Sequence, residues 1–128
     1  MARLTIRIDF GNGMALGPGK VRLLELVGET GSIRKAAAGM KMSYRRAWLL
    51  LQSLAETFGE PLAQTATGGR QGGGASLTPA GRRVVARYRR LEAAASKAAL
   101  GQAKALDRML ASSSRTAASR RSMQKSSL

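Results

Sequence analysis

Hydrophobic and polar positions alternate at the start of the chain. Leu4, Ile6, Ile8 and Phe10 interleave with Arg3, Thr5, Arg7 and Asp9. A period of two places the apolar set on one face of a half-buried strand. Gly11-Asn12-Gly13 breaks the pattern. Leu16-Gly17-Pro18-Gly19 makes a second turn, with Pro18 placed to begin a helix. That helix is predicted to run to about Glu29, with Val21, Leu24, Leu26 (or Leu23) and Val27 facing inward. Gly28, Gly31 and the polar residues between them end it.

The next stretch, Ser32 to Leu54, reads as two helices joined by a tight turn. Ser32 is a good N-cap, because its side-chain oxygen can accept from a free backbone N–H of the first turn. Ala36, Ala37 and Ala38 keep the helix thin, so that a second helix can cross closely. Gly39 lies near its end, where a residue tolerant of positive φ is useful. Met40 and Met42 are expected to plug the core around the turn, and Ser43 to cap the following helix. Ala47, Leu50 or Leu51, Leu54 and Phe58 recur at helical spacing and form its buried stripe. Tyr44, Arg45, Arg46 and Leu49 fall on the complementary face, and Gly59-Glu60-Pro61 terminates the helix. A scaffold helix, a turn, and a helix whose first turn carries long polar side chains make a helix-turn-helix.

Two short strands are expected next, Leu62 to Thr67 and Ala75 to Leu77, around a glycine-rich tip from Gly68 to Gly74 that carries Arg70 and Gln71. This is a wing. A phosphate-cradling loop is the rival reading, but the glycines do not end in Gly-Lys-Ser/Thr and open no suitable helix. Thr78-Pro79 then starts a long helix, continuing to about 110. Val84, Tyr88, Leu91, Ala95 and Ala98 step by four and three along it, a heptad seam suited to pairing with a partner helix. An ordinary amphipathic helix would account for Val84, Val85 and Tyr88 but not for the extension. The fold class expected is therefore mainly α with a small β wing: a winged helix-turn-helix over residues 1–100 with a long C-terminal dimerisation helix. Residues 111–128 are rich in Ser, Ala and Arg without apolar period, and are expected to be a disordered basic tail.

Composition changes this picture in one direction. The chain carries 22 Lys and Arg against 7 Asp and Glu, a net charge of +15, which favours a polyanionic partner. Nucleic acid ranks first, an anionic membrane surface second. The basic residues are not confined to the tail. Arg34, Lys35, Lys41, Arg45, Arg46, Arg70, Arg82, Arg83, Arg87, Arg89 and Arg90 face only Glu56 and Glu60 between Thr30 and Leu91. With no Cys and no His, disulfides, thiolate or imidazole metal sites and Cys or Ser–His catalysis are excluded. The scattered carboxylates offer no acid–base pair, so no catalytic residue, metal or cofactor is expected. No apolar run approaches a membrane span, and the N-terminus does not read as a signal peptide, so the cytoplasm, at the nucleoid, is the expected location.

Gly11-Asn12-Gly13, the run from Leu16 to Leu24, Met42-Ser43-Tyr44-Arg45-Arg46-Ala47-Trp48 and Leu77-Thr78-Pro79-Ala80-Gly81 resemble the N-terminal winged-helix domain of ModE-type, molybdate-responsive transcriptional regulators. LysR-type regulators at large share Ser32, Ala36-Ala37, Ser43 and the Leu77-Thr78 start of the long helix. The resemblance covers about residues 3 to 100. It implies a dimeric winged helix-turn-helix with its long helices in the interface. ModE proteins also carry C-terminal domains that bind the molybdate oxyanion. The Ser/Arg-rich end of this chain has no strands from which to build one, so a molybdate-binding domain is not expected here.

These readings assign roles. Arg45 and Arg46 suit bidentate contact with guanine or contact with phosphate. Tyr44 and Ser43 can donate to phosphates, while Ser43 can equally serve only as a cap. Arg34 and Lys35 fit phosphate contacts from the scaffold helix, and Arg70 with Gln71 fit minor-groove contact from the wing. Trp48 can lie beside the phosphate backbone, but is expected in the core or against the wing. The function expected is a bacterial DNA-binding transcription regulator acting as a homodimer on palindromic sites. The alternative is a nucleoid-associated architectural protein of low sequence specificity.

Overall fold

Three successive residues with positive φ, Gly11 at 96°, Asn12 at 54° and Gly13 at 77°, fold the start of the chain back on itself. Glycine takes this conformation without steric cost and asparagine tolerates it, which explains the composition of the turn. The computed structural model, which describes residues 2–66 and 74–111, places an antiparallel hairpin here: β1 (Ile8–Gly11) and β2 (Met14–Leu16). Two expectations change. Strand pairing begins only at Ile8, and Leu16, expected in a turn, lies in a strand. Ile8 already pairs with Leu16, the last residue of β2; Pro18 then starts a helix, so the ladder offers residues 4–7 no partner.

Helix α1 (Pro18–Thr30) buries Val21, Leu23, Leu24 and Val27, and Leu26 is half-buried. Gly31, at φ 70°, closes it by donating its N–H to the Val27 carbonyl at 2.9 Å. Helix α2 (Ile33–Gly39) and helix α3 (Tyr44–Phe58) follow, then the wing strands β3 (Ala63–Thr65) and β4 (Ala75–Leu77), with Ala63 opposite Leu77. The wing is tied to the helices at two points. The Ala75 N–H donates to the Gly31 carbonyl at 2.8 Å, and the Thr78 N–H to the Leu62 carbonyl at 3.0 Å.

Helix α4 spans Pro79–Arg108. Thr78 opens it, accepting from the Gly81 N–H at 3.0 Å while its hydroxyl donates to the Pro61 carbonyl at 2.8 Å. Gly81 lies directly against the Leu62 backbone, so that a Cβ there would overlap the Leu62 carbonyl. Leu62, Ala80, Tyr88, Leu54 and the α1 leucines belong to one core.

The heptad reading of α4 needs a correction. Tyr88 was assigned to a dimer seam, yet it is only 1% exposed and belongs to the core of its own chain. Its hydroxyl donates to the Ile6 carbonyl at 2.6 Å. Val84 is half-buried against the same core, so Leu91 is the exposed large seam residue of the unit Thr5–Ala94. Residues 2–4 and 95–111 fall in a second unit. In it Ala95 is half-buried and Ala98, Leu100, Leu106, Met109 and Leu110 are exposed. The tail from residue 112 lies outside the described residues.

Candidate nucleic-acid interface

Helices α2 and α3 pack through alanines: Ala36, Ala37 and Ala47 are all buried. Small side chains allow the close approach that the short connection requires. The turn is held by backbone bonds from Met40, Lys41 and Met42 back to the carbonyls of Ala36, Ala37 and Ala38, at 3.0–3.1 Å. The residue with positive φ is Lys41, at 56°, and not Gly39, which remains helical. Gly39 is small for a different reason. A Cβ there would come within 3.2 Å of a Leu26 methyl, so a larger residue would have to push the end of that side chain aside.

Both serines cap as their positions in the sequence suggest. Ser32 accepts from the Lys35 N–H and Ser43 from the Arg46 N–H, each at 3.0 Å. Ala47, Leu51 and Leu54 fix the inner face of α3, with Leu50 and Phe58 half-buried beside them. Tyr44, Arg45 and Arg46 are exposed in its first turn, as are Arg34 and Lys35 at the start of α2. A polar hollow brings Ser32, Arg34, Lys35 and Tyr44 together with Thr65 of the wing. Arg45 and Arg46 lie outside it, on the exposed part of α3. Arg70 and Gln71, assigned to the wing tip, lie outside the described residues.

Trp48 is not a core residue. It is 44% exposed and its Nε1–H donates to the Tyr44 hydroxyl at 2.7 Å. It also lines a hollow with Leu51, Gln52 and the β3 residues Ala63 and Gln64, so its remaining neighbours are at the base of the wing. Leu49 and Gln52 are exposed on the same helix. The signal for all three was present: at 100° per residue, a stripe through Ala47, Leu51 and Leu54 turns positions 48, 49 and 52 away from the core.

Electrostatics separates two faces. Among the described residues, Arg34, Lys35, Arg45 and Arg46 form no ion pair. The acidic residues of α1 are engaged elsewhere. Arg89 grips Glu25 with two bonds, Nε to Oε2 at 3.0 Å and Nη2 to Oε1 at 2.8 Å, and reaches Glu92 at 2.8 Å. Arg22 reaches Glu29 at 3.1 Å. The Arg89 bonds hold the Glu25 carboxyl below the usual carboxylate range despite partial burial, and the two carboxylates raise the Arg89 guanidinium above its ordinary value. The cations of α2 and α3 are thus left without internal counter-charges. Among the described residues there is no cluster of potential metal ligands, and no helix is long and apolar enough to cross a membrane.

Residues 19–82, from the start of α1 to the first turn of α4, match the bacterial regulatory helix-turn-helix proteins of the lysR family. The chain belongs to this lysR family. Its members are DNA-binding transcription regulators and not enzymes. The chain is similar to the molybdenum transport protein ModE of Azotobacter vinelandii, 44% identical over 92 residues that cover 72% of this chain and 33% of that protein. It is 41% identical over 85 residues to the molybdenum-pterin-binding protein MopB of Rhodobacter capsulatus, covering 66% of this chain and 32% of that protein. To the transcriptional regulator ModE of Haemophilus influenzae it is 37% identical over 89 residues, covering 70% and 34%. The chain spans about a third of the length of these relatives. The lysR-type helix-turn-helix, the wing strands and the Thr78–Gly81 start of α4 all fall inside the matched region.

Proposed function

We propose that this chain binds double-stranded DNA as a homodimer and regulates transcription from palindromic sites. The observation that carries this reading is the set of exposed, unpaired cations on α2 and α3, around a second helix held by Ser43 and the alanine contact. In this arrangement α3 enters the major groove with its first turn foremost, and α2 crosses the phosphate backbone. Arg45 and Arg46 read base edges or adjoining phosphates. Arg34 and Lys35 anchor α2 to the backbone, and Arg70 with Gln71 extend the contact from the wing. The protein acts in the cytoplasm, at the nucleoid. The names of its relatives link them to molybdenum, so promoters of molybdate-handling genes are the targets proposed for this chain.

Dimerisation rests on α4. Leu91, Ala95 and Ala98 remain as seam positions, and exposed Leu106 flanks the same face further along the helix. Fluorescence anisotropy with a duplex selected by the protein from a random library, against an unselected duplex, tests the reading. Specific regulators bind their sites about 10³–10⁷ times more tightly than other DNA at physiological salt. Equal affinity for both duplexes would point to the architectural alternative, and no binding at low salt would end the proposal.

A further inference from the structure

Tyr44 is held from two sides. The Arg34 guanidinium, carried by α2, lies 4.7 Å from the centre of the Tyr44 ring, over its face. The Trp48 Nε1–H, one turn further along α3, donates to the Tyr44 oxygen at 2.7 Å. A cation on the face and a donor at the oxygen fix both the plane of the ring and the place of its hydroxyl. The chemistry of the contact has a direction. An indole N–H can only donate, so the Tyr44 oxygen is the acceptor and its own proton points elsewhere. Among the described residues nothing accepts that proton. A hydroxyl that already accepts a hydrogen bond is also polarised toward donating one. Tyr44 lines the same hollow as Arg34, Lys35 and Ser32, so two cations share the surface around it. A group that completes this site must accept a hydrogen bond and carry negative charge.

We infer that Arg34 and Trp48 are positioning residues that lock Tyr44 as a one-way hydrogen-bond donor to a DNA phosphate oxygen. This rests on the DNA-binding reading above and refines it: Tyr44 anchors the helix to the backbone, and base reading falls to Arg45 and Arg46. Because Trp48 acts through the Tyr44 hydroxyl, its indole N–H has no effect once that hydroxyl is gone.

A double-mutant cycle on the full chain tests this. Tyr44→Phe, Trp48→Phe and the double variant are titrated by anisotropy against the selected duplex and a random one, over a range of salt. Tyr44→Phe is expected to weaken both duplexes by the same factor, roughly tenfold for the loss of a bond to a charged acceptor. It leaves the order of base preferences and the salt slope unchanged, because no cation is lost. Trp48→Phe weakens binding less, and the double variant binds like Tyr44→Phe alone. In the ¹H–¹⁵N spectrum the single indole N–H resonance shifts in Tyr44→Phe. Additive losses, an altered base preference in Tyr44→Phe, or an unmoved indole resonance each overturn the inference while leaving DNA binding intact. A wild-type chain that binds neither duplex overturns the underlying reading as well.

Discussion

The Tyr88 hydroxyl, a third of the way along α4, donates to the carbonyl of Ile6 at 2.6 Å across 82 positions of sequence. It closes the N-terminal segment onto the core. Tyr88→Phe removes the bond and leaves that carbonyl without its partner. The expected loss is about 1 kcal/mol, or a fall in Tm of roughly 4–8 °C for a domain of this size. Burial, with the Glu92 charge adding to it, raises the Tyr88 phenol above its ordinary value. Its contribution is complete below about pH 10 and declines as pH rises through the raised folded value. Thermal melts of both proteins across alkaline pH should converge there.

Glu25 behaves oppositely. Its folded value lies below the unfolded one, because Arg89 favours the ionised form. The stabilisation from the pair is present above about pH 4.3 and is lost as pH falls through the lowered folded value. Glu25→Gln should therefore destabilise the protein at neutral pH and matter progressively less in acid. Urea titrations at several pH values measure this; a difference that grows in acid would contradict it.

Two glycines of α4 should respond in opposite senses to alanine. Gly81→Ala sets a Cβ against the Leu62 backbone, which has no flexible end to yield, and should cost more than about 2 kcal/mol. Gly101 has nothing within 4 Å, so Gly101→Ala should stabilise the helix by about 0.5–1 kcal/mol. Denaturant midpoints of the two variants decide the matter.

Arg45→Ala should relax base preference at one position in each half-site, at a cost of about 1–3 kcal/mol. Lys35→Ala should weaken all duplexes alike and lower the salt slope by about one. Binding to a panel of single-substitution duplexes separates the two. Uniform weakening by Arg45→Ala would assign Arg45 to phosphate.

Leu106, 63% exposed, offers a test of self-association. Leu106→Glu should shift the protein from dimer to monomer in sedimentation equilibrium without lowering its helix content. An unchanged mass would remove this part of α4 from the interface.

The sequence made the helix-turn-helix legible because its signals are local. Ser32 and Ser43 cap where a short oxygen precedes an apolar period, and Thr78-Pro79 opens α4 as expected. What could not be read depended on distant partners. Val84, Tyr88 and Leu91 satisfy a heptad, but over so short a span a heptad and a 3.6-residue period differ by only about 20°. Whether Tyr88 faces a partner or its own core is decided by Ile6 and the β1–β2 hairpin. Of the two places expected for Trp48, the core is excluded and the base of the wing is where its hollow lies. Its size argued for burial while its phase on α3 argued against it, and phase prevailed. The left-handed residue of the turn fell at Lys41 because α2 continues through Gly39.

Gly31 has a further mechanical meaning. Its N–H closes α1, its carbonyl receives the wing through Ala75, and its successor Ser32 caps α2. The scaffold helix and the wing strand are thus hung from neighbouring atoms of one backbone segment. Of the wing's two ties to the helices, this is the one shared with the start of the scaffold helix. A change of backbone at Gly31 would therefore shift α2 and the wing strand together, while leaving their side chains chemically untouched.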